Sequence, residues 1–276
     1  MPELPEVENV VRTLAPRLCG CRIERVRMSA SRVFRGRQGE IEASLPGCRV
    51  LAVRRYGKNI LIELDRCLLR VHLGMTGKLL FDAEQATHPR ATLWLCREAE
   101  AETGVLIFDD IRQFGRFETL PAEGEEALAL GPEPLELSLG AFCKALGERG
   151  GAVKNVLLDQ HFLRGMGNIY TDEALFLAGI HPLTPASRVT RKKAAALYEA
   201  MRLLLQEAID AGGSSISDYV DAEGRRGGFQ DRHQVYGRAA QPCTRCGTLI
   251  RRMVVAQRGT HYCPRCQRLA IKRPTR

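Results

Sequence analysis

The sequence predicts a multi-domain α+β protein: an N-terminal β-sandwich or barrel-like sheet behind a leading helix, then a helical domain, then a small β-ribbon clamped by a metal. Three observations carry this expectation. Short β-type runs bounded by turn residues recur from about Cys21 to Leu120. Apolar residues at helical spacing take over after residue 137, and the chain closes on C-x2-C-x16-C-x2-C.

In chain order, Glu3 to Leu18 reads as a helix. Val7, Val10, Val11, Leu14 and Leu18 fall at helical spacing, and acids occupy the first turn, where the macrodipole favours them. The β-type runs are RVLAVRRYG, NILIELD, CLLRVHLG, ATLWLCRE and GVLIFDD. PAEGEEALALGPEPLEL, rich in Pro, Gly and acids, marks a boundary between residues 121 and 137. Domains are therefore expected over 1–130, 131–237 and 238–276. Helical patterns follow in LGAFCKALGER, AVKNVLLDQH, IYTDEALFLAGI and TRKKAAALYEAMRLLLQEAIDAGG, the last ending on Gly212 and Gly213 as a C-cap. Between the second and third, LRGMGNIY offers Asn168 as an N-cap. Its glycine-rich turn suits either a phosphate or an ordinary helical connection. GGSSISDYVDAEGRRGGFQDRH reads as a long flexible loop.

With 276 residues, 45% hydrophobic and 26% charged, the chain has the composition of a packed globular protein. No apolar run is long enough to span a bilayer, and the start lacks a signal-peptide pattern, so a soluble cytoplasmic protein is expected. Six cysteines without motif spacing (Cys19, Cys21, Cys48, Cys67, Cys96 and Cys143) read as reduced thiols. The net charge of +9 is uneven. From Arg225 to Arg276, 12 Arg and 1 Lys face a single acid, Asp231, which leaves the preceding 224 residues at −3. Charge so localised is either a footprint for a polyanion or a solubilising tail, and the dominance of Arg over Lys favours bidentate phosphate contacts.

Cys243, Cys246, Cys263 and Cys266 carry the strongest signal. Each C-x2-C knuckle directs two thiolates at one ion, and 16 intervening residues suffice for a two-stranded ribbon. With all four positions cysteine, no coordination site is left for water. One structural zinc ion is expected, without catalysis. The spacer carries Arg251, Arg252 and Arg258, which suits a device inserted into a nucleic-acid groove.

The chain opens MPELPEVENV. Removal of Met1 gives Pro2 a free secondary amine, and an α-amino group titrates near 7.7–8.0, so part of it is nucleophilic near neutrality. Attack on an aldehyde-like carbon yields an iminium that activates neighbouring C–H bonds. Glu3 is placed to move protons, and Glu6, one turn on, to orient the amine. Read alone, the stretch is equally a capped helix start.

PELPEV, RRYGKNILIEL, HLGMTGKL, DDIRQFGR, GMGNIYTDEALFLAGIHP, DYV with GGFQ and QVYGR, and the terminal cysteine ribbon occur in this order. Together they resemble the formamidopyrimidine-DNA glycosylase family over essentially the whole chain. The resemblance implies a β-sandwich with leading helix, a helix–two-turn–helix domain and a zinc finger, with DNA between the two parts. It implies a monomeric, nucleoid-associated enzyme of base excision repair. Such an enzyme removes 8-oxoguanine and formamidopyrimidines from duplex DNA and cuts the strand by β- and δ-elimination.

By the same resemblance, Pro2 is the Schiff-base nucleophile, Glu3 the acid/base, and Glu6 a supporting group. Lys58 contacts phosphate and donates a proton; without the family it reads as a strand-edge lysine. Met75, Arg112 and Phe114 fill the gap left by an extruded base; in isolation they read as core Met, surface Arg and core Phe. His72, Asn168 and Arg258 hold phosphates, Lys154 is carried over as a further DNA contact, and Arg258 also joins the catalytic set. The loop from Ser214 to Phe229 matches a lid. Ser217 and Asn59 depart from residues common in the family, basic and aromatic respectively. Two rivals remain: the sister endonuclease VIII group, specific for oxidised pyrimidines, and a non-catalytic zinc-ribbon protein that binds DNA. Leu4 and the Met/Arg/Phe set speak against the first, and the Pro–Glu opening against the second.

Overall fold

The computed structural model describes residues 1–82, 86–97, 104–216 and 218–269. The chain forms two compact units. The first comprises Met1–Ala129 and Ala208–Gln230, the second Leu130–Glu207 and Asp231–Arg276.

The first unit opens with α1 (Leu4–Leu18), which buries Leu4, Val7, Val10, Val11, Leu14 and Leu18 along one stripe. It continues through β1 (Arg22–Met28), α2 (Gln38–Ser44), β2 (Val50–Tyr56), β3 (Asn59–Leu64), β4 (Leu68–His72), β5 (Lys78–Phe81), β6 (Pro89–Cys96), β7 (Gly104–Asp109) and β8 (Arg116–Leu120). Two four-stranded antiparallel sheets result, in the orders β1-β6-β7-β5 and β2-β3-β4-β8. One buried cluster draws on both sheets and on α1, which is the sandwich core. The five β-type runs of the sequence become β2, β3, β4, β6 and β7. Strands β1, β5 and β8 and helix α2 were not anticipated. β1 (RIERVRM) buries only Ile23, Val26 and Met28 among four charged residues, and the residue pairing slips between Ile23 and Arg25, which breaks period-2 alternation.

The second unit carries α3 (Leu139–Gly147), α4 (Val153–Leu158), α5 (Asn168–Leu177), most of α6 (Arg191–Asp210), and the antiparallel ribbon β9 (Arg251–Val255) and β10 (Arg258–Tyr262). Ser138 caps α3 by accepting from the Ala141 N–H. Asn168 is the first helical residue of α5, and Gly167 takes the N-cap position expected for it. A short 3-10 turn, Glu126–Leu128, lies in the expected boundary stretch.

The compact units differ from three consecutive domains, because 208–230 clusters with the sandwich and the ribbon with the helices. The reason is local. Gly213 N–H bonds Ala208 O and Gly212 N–H bonds Ile209 O, a Schellman ending that turns the chain back. Gly213 takes φ +82, where a side chain is strained, and a Cβ there would lie 3.0 Å from Glu6 and force it to shift. Tyr219 and Ala222 then enter the sandwich core, and Ala222 O accepts from Phe81 N–H. The expected flexible loop is thus a hydrogen-bonded segment, in which Ser215 Oγ donates to Tyr219 O and accepts from Gly227 N–H. Ser217 lies outside the described residues. Among the described residues no helix is long and apolar enough to cross a membrane.

Candidate functional site

Pro2, Glu3 and Glu6 are all buried at the start of α1. Both oxygens of Glu6 are engaged: Oε2 accepts from Glu3 N–H and Oε1 from Ser214 N–H, each at 2.8 Å. Glu6 therefore ties the helix start to the segment after α6 and fixes where Pro2 and Glu3 sit. The Tyr219 hydroxyl is buried nearby; burial, then the Glu6 and Asp221 carboxylates, push its pKa up, so it keeps its proton. Sequence reasoning missed Tyr219, because nothing local in DYV announces a neighbour 213 positions upstream.

Lys58 occupies the two-residue turn Gly57–Lys58 between β2 and β3, buried. Asn59 pins this hairpin, donating to Tyr56 O at 3.0 Å and accepting from Arg70 Nε at 2.9 Å. That gives the departure from an aromatic residue a structural job of its own. Asn59 pairs with His72 across β3 and β4, and His72 with Arg116 across β4 and β8. Burial, then the charges of Arg70, Lys58 and Arg116, push the His72 pKa down to about 4. Nδ1 accepts from Gly74 N–H at 3.0 Å, so the neutral ring carries its proton on Nε2, as a donor.

The His72 shift has a measurable consequence. The unfolded imidazole titrates near 6.5, so on acidification the unfolded chain binds the proton first. Stability contributed by the neutral ring is complete above pH 6.5 and lost as pH falls towards about 4. Thermal midpoints are expected to fall between pH 7 and pH 5, and more gently in a His72→Gln variant. His233, also pushed down to about 4, chiefly by burial, and His181, pushed down by burial, contribute to the remaining slope.

Met75, Arg112 and Phe114 come together on one platform. The buried Asp110 carboxylate accepts from Thr76 Oγ1 at 2.6 Å and from Gly115 N–H at 2.8 Å, while Arg112 N–H donates to Thr76 Oγ1. At Gly74 (φ +63) a Cβ would lie 2.5 Å from the Phe114 carbonyl carbon, so the two loops touch backbone to backbone. Met75 and Phe114 are 42% and 54% exposed, and Ile111 beside them 55%, so none is a core residue. The Arg112 guanidinium lies 4.6 Å from the Phe114 ring centre.

In the second unit, Asn168 Nδ2 donates to Gly259 O at 2.9 Å, next to Arg258, whose side chain is exposed. Lys154 departs from its expected role. Its ammonium is fully buried, 2.6 Å from Asp172 Oδ1 and 2.7 Å from Thr260 Oγ1, so from this position it reaches no phosphate. Glu173, also buried, accepts from the N–H groups of Gln234, Val235 and Tyr236. The ribbon turn is made by Ala256 (φ +49) and Gln257 (φ +57), left-handed residues where glycine or asparagine is usual. Each costs on the order of 1 kcal/mol.

The four clustered cysteine sulfurs lie within 4.8 Å of one another. Cys243 and Cys266 are 3.9 Å apart, Cys246 and Cys263 3.5 Å. Tetrahedral thiolates about 2.3 Å from zinc stand about 3.8 Å apart, so the cluster fits one structural zinc ion. Cys243 and Cys263 are buried with Phe176, Val235 and Ile250.

Three family models match in sequence: the formamidopyrimidine-DNA glycosylase N-terminal domain over residues 1–117, its H2TH domain over 130–220, and the zinc finger found in FPG and IleRS over 240–269. The chain belongs to the formamidopyrimidine-DNA glycosylase family. A relative named formamidopyrimidine-DNA glycosylase from Solibacter usitatus is 49% identical over 270 residues, covering 97% of this chain and all of that one. The crystal structure of the MutM (FPG) protein from Thermus thermophilus matches with a TM-score of 0.85 at 42% identity, over 96% of this chain and 98% of that one. A Lactococcus lactis FPG mutant in complex with Fapy-dG-containing DNA matches with a TM-score of 0.89 at 34% identity, over 97% of this chain and all of that one. By its family membership the protein is a DNA repair glycosylase of base excision, with a four-cysteine zinc finger.

Proposed function

We propose that this glycosylase excises oxidised purines, 8-oxoguanine and formamidopyrimidines, from duplex DNA, and then cleaves the strand at the abasic site as a monomer. The observation that carries the reading is the corner at the start of α1, where Pro2 and Glu3 are buried and held by a fully engaged Glu6. Once Met1 is removed, the Pro2 nitrogen attacks C1′ of the lesion nucleotide, the base departs with the electron pair of the glycosidic bond, and the proton lost by the Pro2 amine neutralises it. Glu3 passes a proton to the opening sugar ring, leaving an iminium between Pro2 and C1′. Loss of a C2′ proton expels the 3′ phosphate, and a second elimination expels the 5′ phosphate. Lys58 is the assigned proton donor for these departures, and Arg258, whose guanidinium keeps its proton, holds the departing phosphate by charge and hydrogen bonds.

His72 Nε2–H, Asn168 and Arg258 hold backbone phosphates, while Met75, Arg112 and Phe114 enter the duplex where the base has left. The rigid, exposed platform supports this, since side chains that replace a stacked base must be accessible and preorganised. The relative bound to Fapy-dG-containing DNA supports the purine class.

The test is strand cleavage of two duplexes, one with 8-oxoguanine opposite cytosine, the other with thymine glycol opposite adenine. The first is expected to be cut at least about tenfold faster, a margin of about 1.4 kcal/mol in the barrier. The reverse order excludes the purine assignment.

A further inference from the structure

We infer that Lys154 and Asp172 form a positioning pair, which holds the β9–β10 turn in the shape that presents Arg258 and acts on DNA only through that arginine. The inference rests on the proposed role of Arg258 as a phosphate contact.

The pair is fully buried on both sides. Two apolar side chains filling the same space give equal or better stability, so stability alone is a poor account of an ion pair there. What only the pair supplies is direction. The Lys154 ammonium donates to Asp172 Oδ1, to Thr260 Oγ1 and, at 3.4 Å, to Gly259 O. The second oxygen of Asp172 accepts from His261 N–H at 2.8 Å. Asn168 Nδ2 adds the other bond to Gly259 O. The three residues that follow Arg258 are therefore each anchored to α4 or α5. Thr260 Oγ1 also donates to Arg258 O at 3.1 Å.

The turn needs such anchors. Ala256 and Gln257 hold left-handed backbone with side chains attached, a conformation that persists only where the surroundings fix it. A two-stranded ribbon is by itself marginal. The zinc cluster secures the far end of the strands, and the Lys154–Asp172 pair secures the turn end. Arg258 is the first residue after the turn, so its side chain starts from backbone whose position these anchors set.

The experiment compares four proteins with Met1 removed: the parent, Arg258→Ala, Lys154→Met with Asp172→Ala, and all three substitutions together. Removing both charges avoids an unpaired buried ion. Zinc content and thermal midpoint report folding. Binding is measured on a duplex with an uncleavable tetrahydrofuran abasic analogue across a salt series. Arg258→Ala and the pair variant are each expected to weaken binding by about tenfold and to lower the salt slope by about one. The combined variant is expected to bind no more weakly than either. A multiplied loss of about a hundredfold, or parental binding by the pair variant beside a weakened Arg258→Ala, overturns the inference.

If Arg258→Ala itself binds like the parent, it is the phosphate-contact reading that fails. The positioning claim is then decided by hydrogen exchange in zinc-loaded protein. Exchange at residues 256–261 is expected to be at least tenfold faster in the pair variant, and unchanged exchange overturns the claim. Should the pair variant lose zinc, Thr260→Val removes one anchor at constant shape. The same non-additivity with Arg258→Ala is then expected, and additivity overturns the inference.

Discussion

A chain that keeps Met1 is expected to give no borohydride-trapped adduct with a duplex containing 8-oxoguanine, whereas the same chain beginning at Pro2 gives one. In the longer chain the proline nitrogen is an amide, its lone pair delocalised into the Met1 carbonyl, and it is no nucleophile. Once freed, it is a secondary amine of a class that titrates near neutrality. Strand cleavage should fall by about a thousandfold or more, the scale on which loss of a covalent nucleophile acts. The burial of Pro2 makes the effect sharper, because an extra residue must share the space the substrate carbon needs. Peptide mapping of the trapped species checks the assignment. A deoxyribose remnant on an internal lysine, with Pro2 unmodified, would exclude this nucleophile.

The second large effect is expected at Cys263. A Cys263→Ser variant should lose its zinc, since one weak hydroxyl ligand replaces a thiolate and structural sites of this type hold about 10–16 kcal/mol of metal-coupled folding energy. Cys263 is also buried in the small cluster of Phe176, Val235, Cys243 and Ile250, so the hydroxyl meets an apolar surround as well. The ribbon should lose its protection from proteolysis, and Arg251, Arg252 and Arg258 their fixed positions. DNA binding is expected to weaken, with a salt slope shallower by about two to three, roughly 0.9 per phosphate contact. The sandwich unit, with its own core, should keep its thermal transition. Metal analysis and titrations at two salt concentrations check this. Full zinc content with parental affinity in the variant would count against it.

Much of this was legible in the sequence because the signals are local. The α1 stripe, five of the strands, the four helices after residue 137 and the cysteine spacing each declare themselves within a few residues. Strand β5, with four residues, is too short to show a period, β8 (RFETL) buries only Phe117, and β1 hides its alternation behind Arg and Glu. Site residues divided in the same way. The identities of Glu3 and Arg112 follow from motifs, but the partners that place them do not. Glu6 finds Ser214 208 positions away, and Lys154 finds Thr260 106 positions away. Asp172 and Glu173 look like solvent-facing helix acids. They are buried because the ribbon and the segment after Arg232 bring backbone N–H groups to them. Long-range pairing of this kind has no one-dimensional signature.

The return of residues 208–230 to the sandwich means that the polypeptide crosses between its two compact bodies three times. Modular exchange by simple end-to-end fusion is therefore barred. A gene fragment stopping at residue 129 would encode a sandwich missing Tyr219 and Ala222 from its interior and Ser214 from the Glu6 carboxylate. Because the helical body itself is split into 130–207 and 231–276 around the returning segment, neither body can be moved as one continuous stretch of gene.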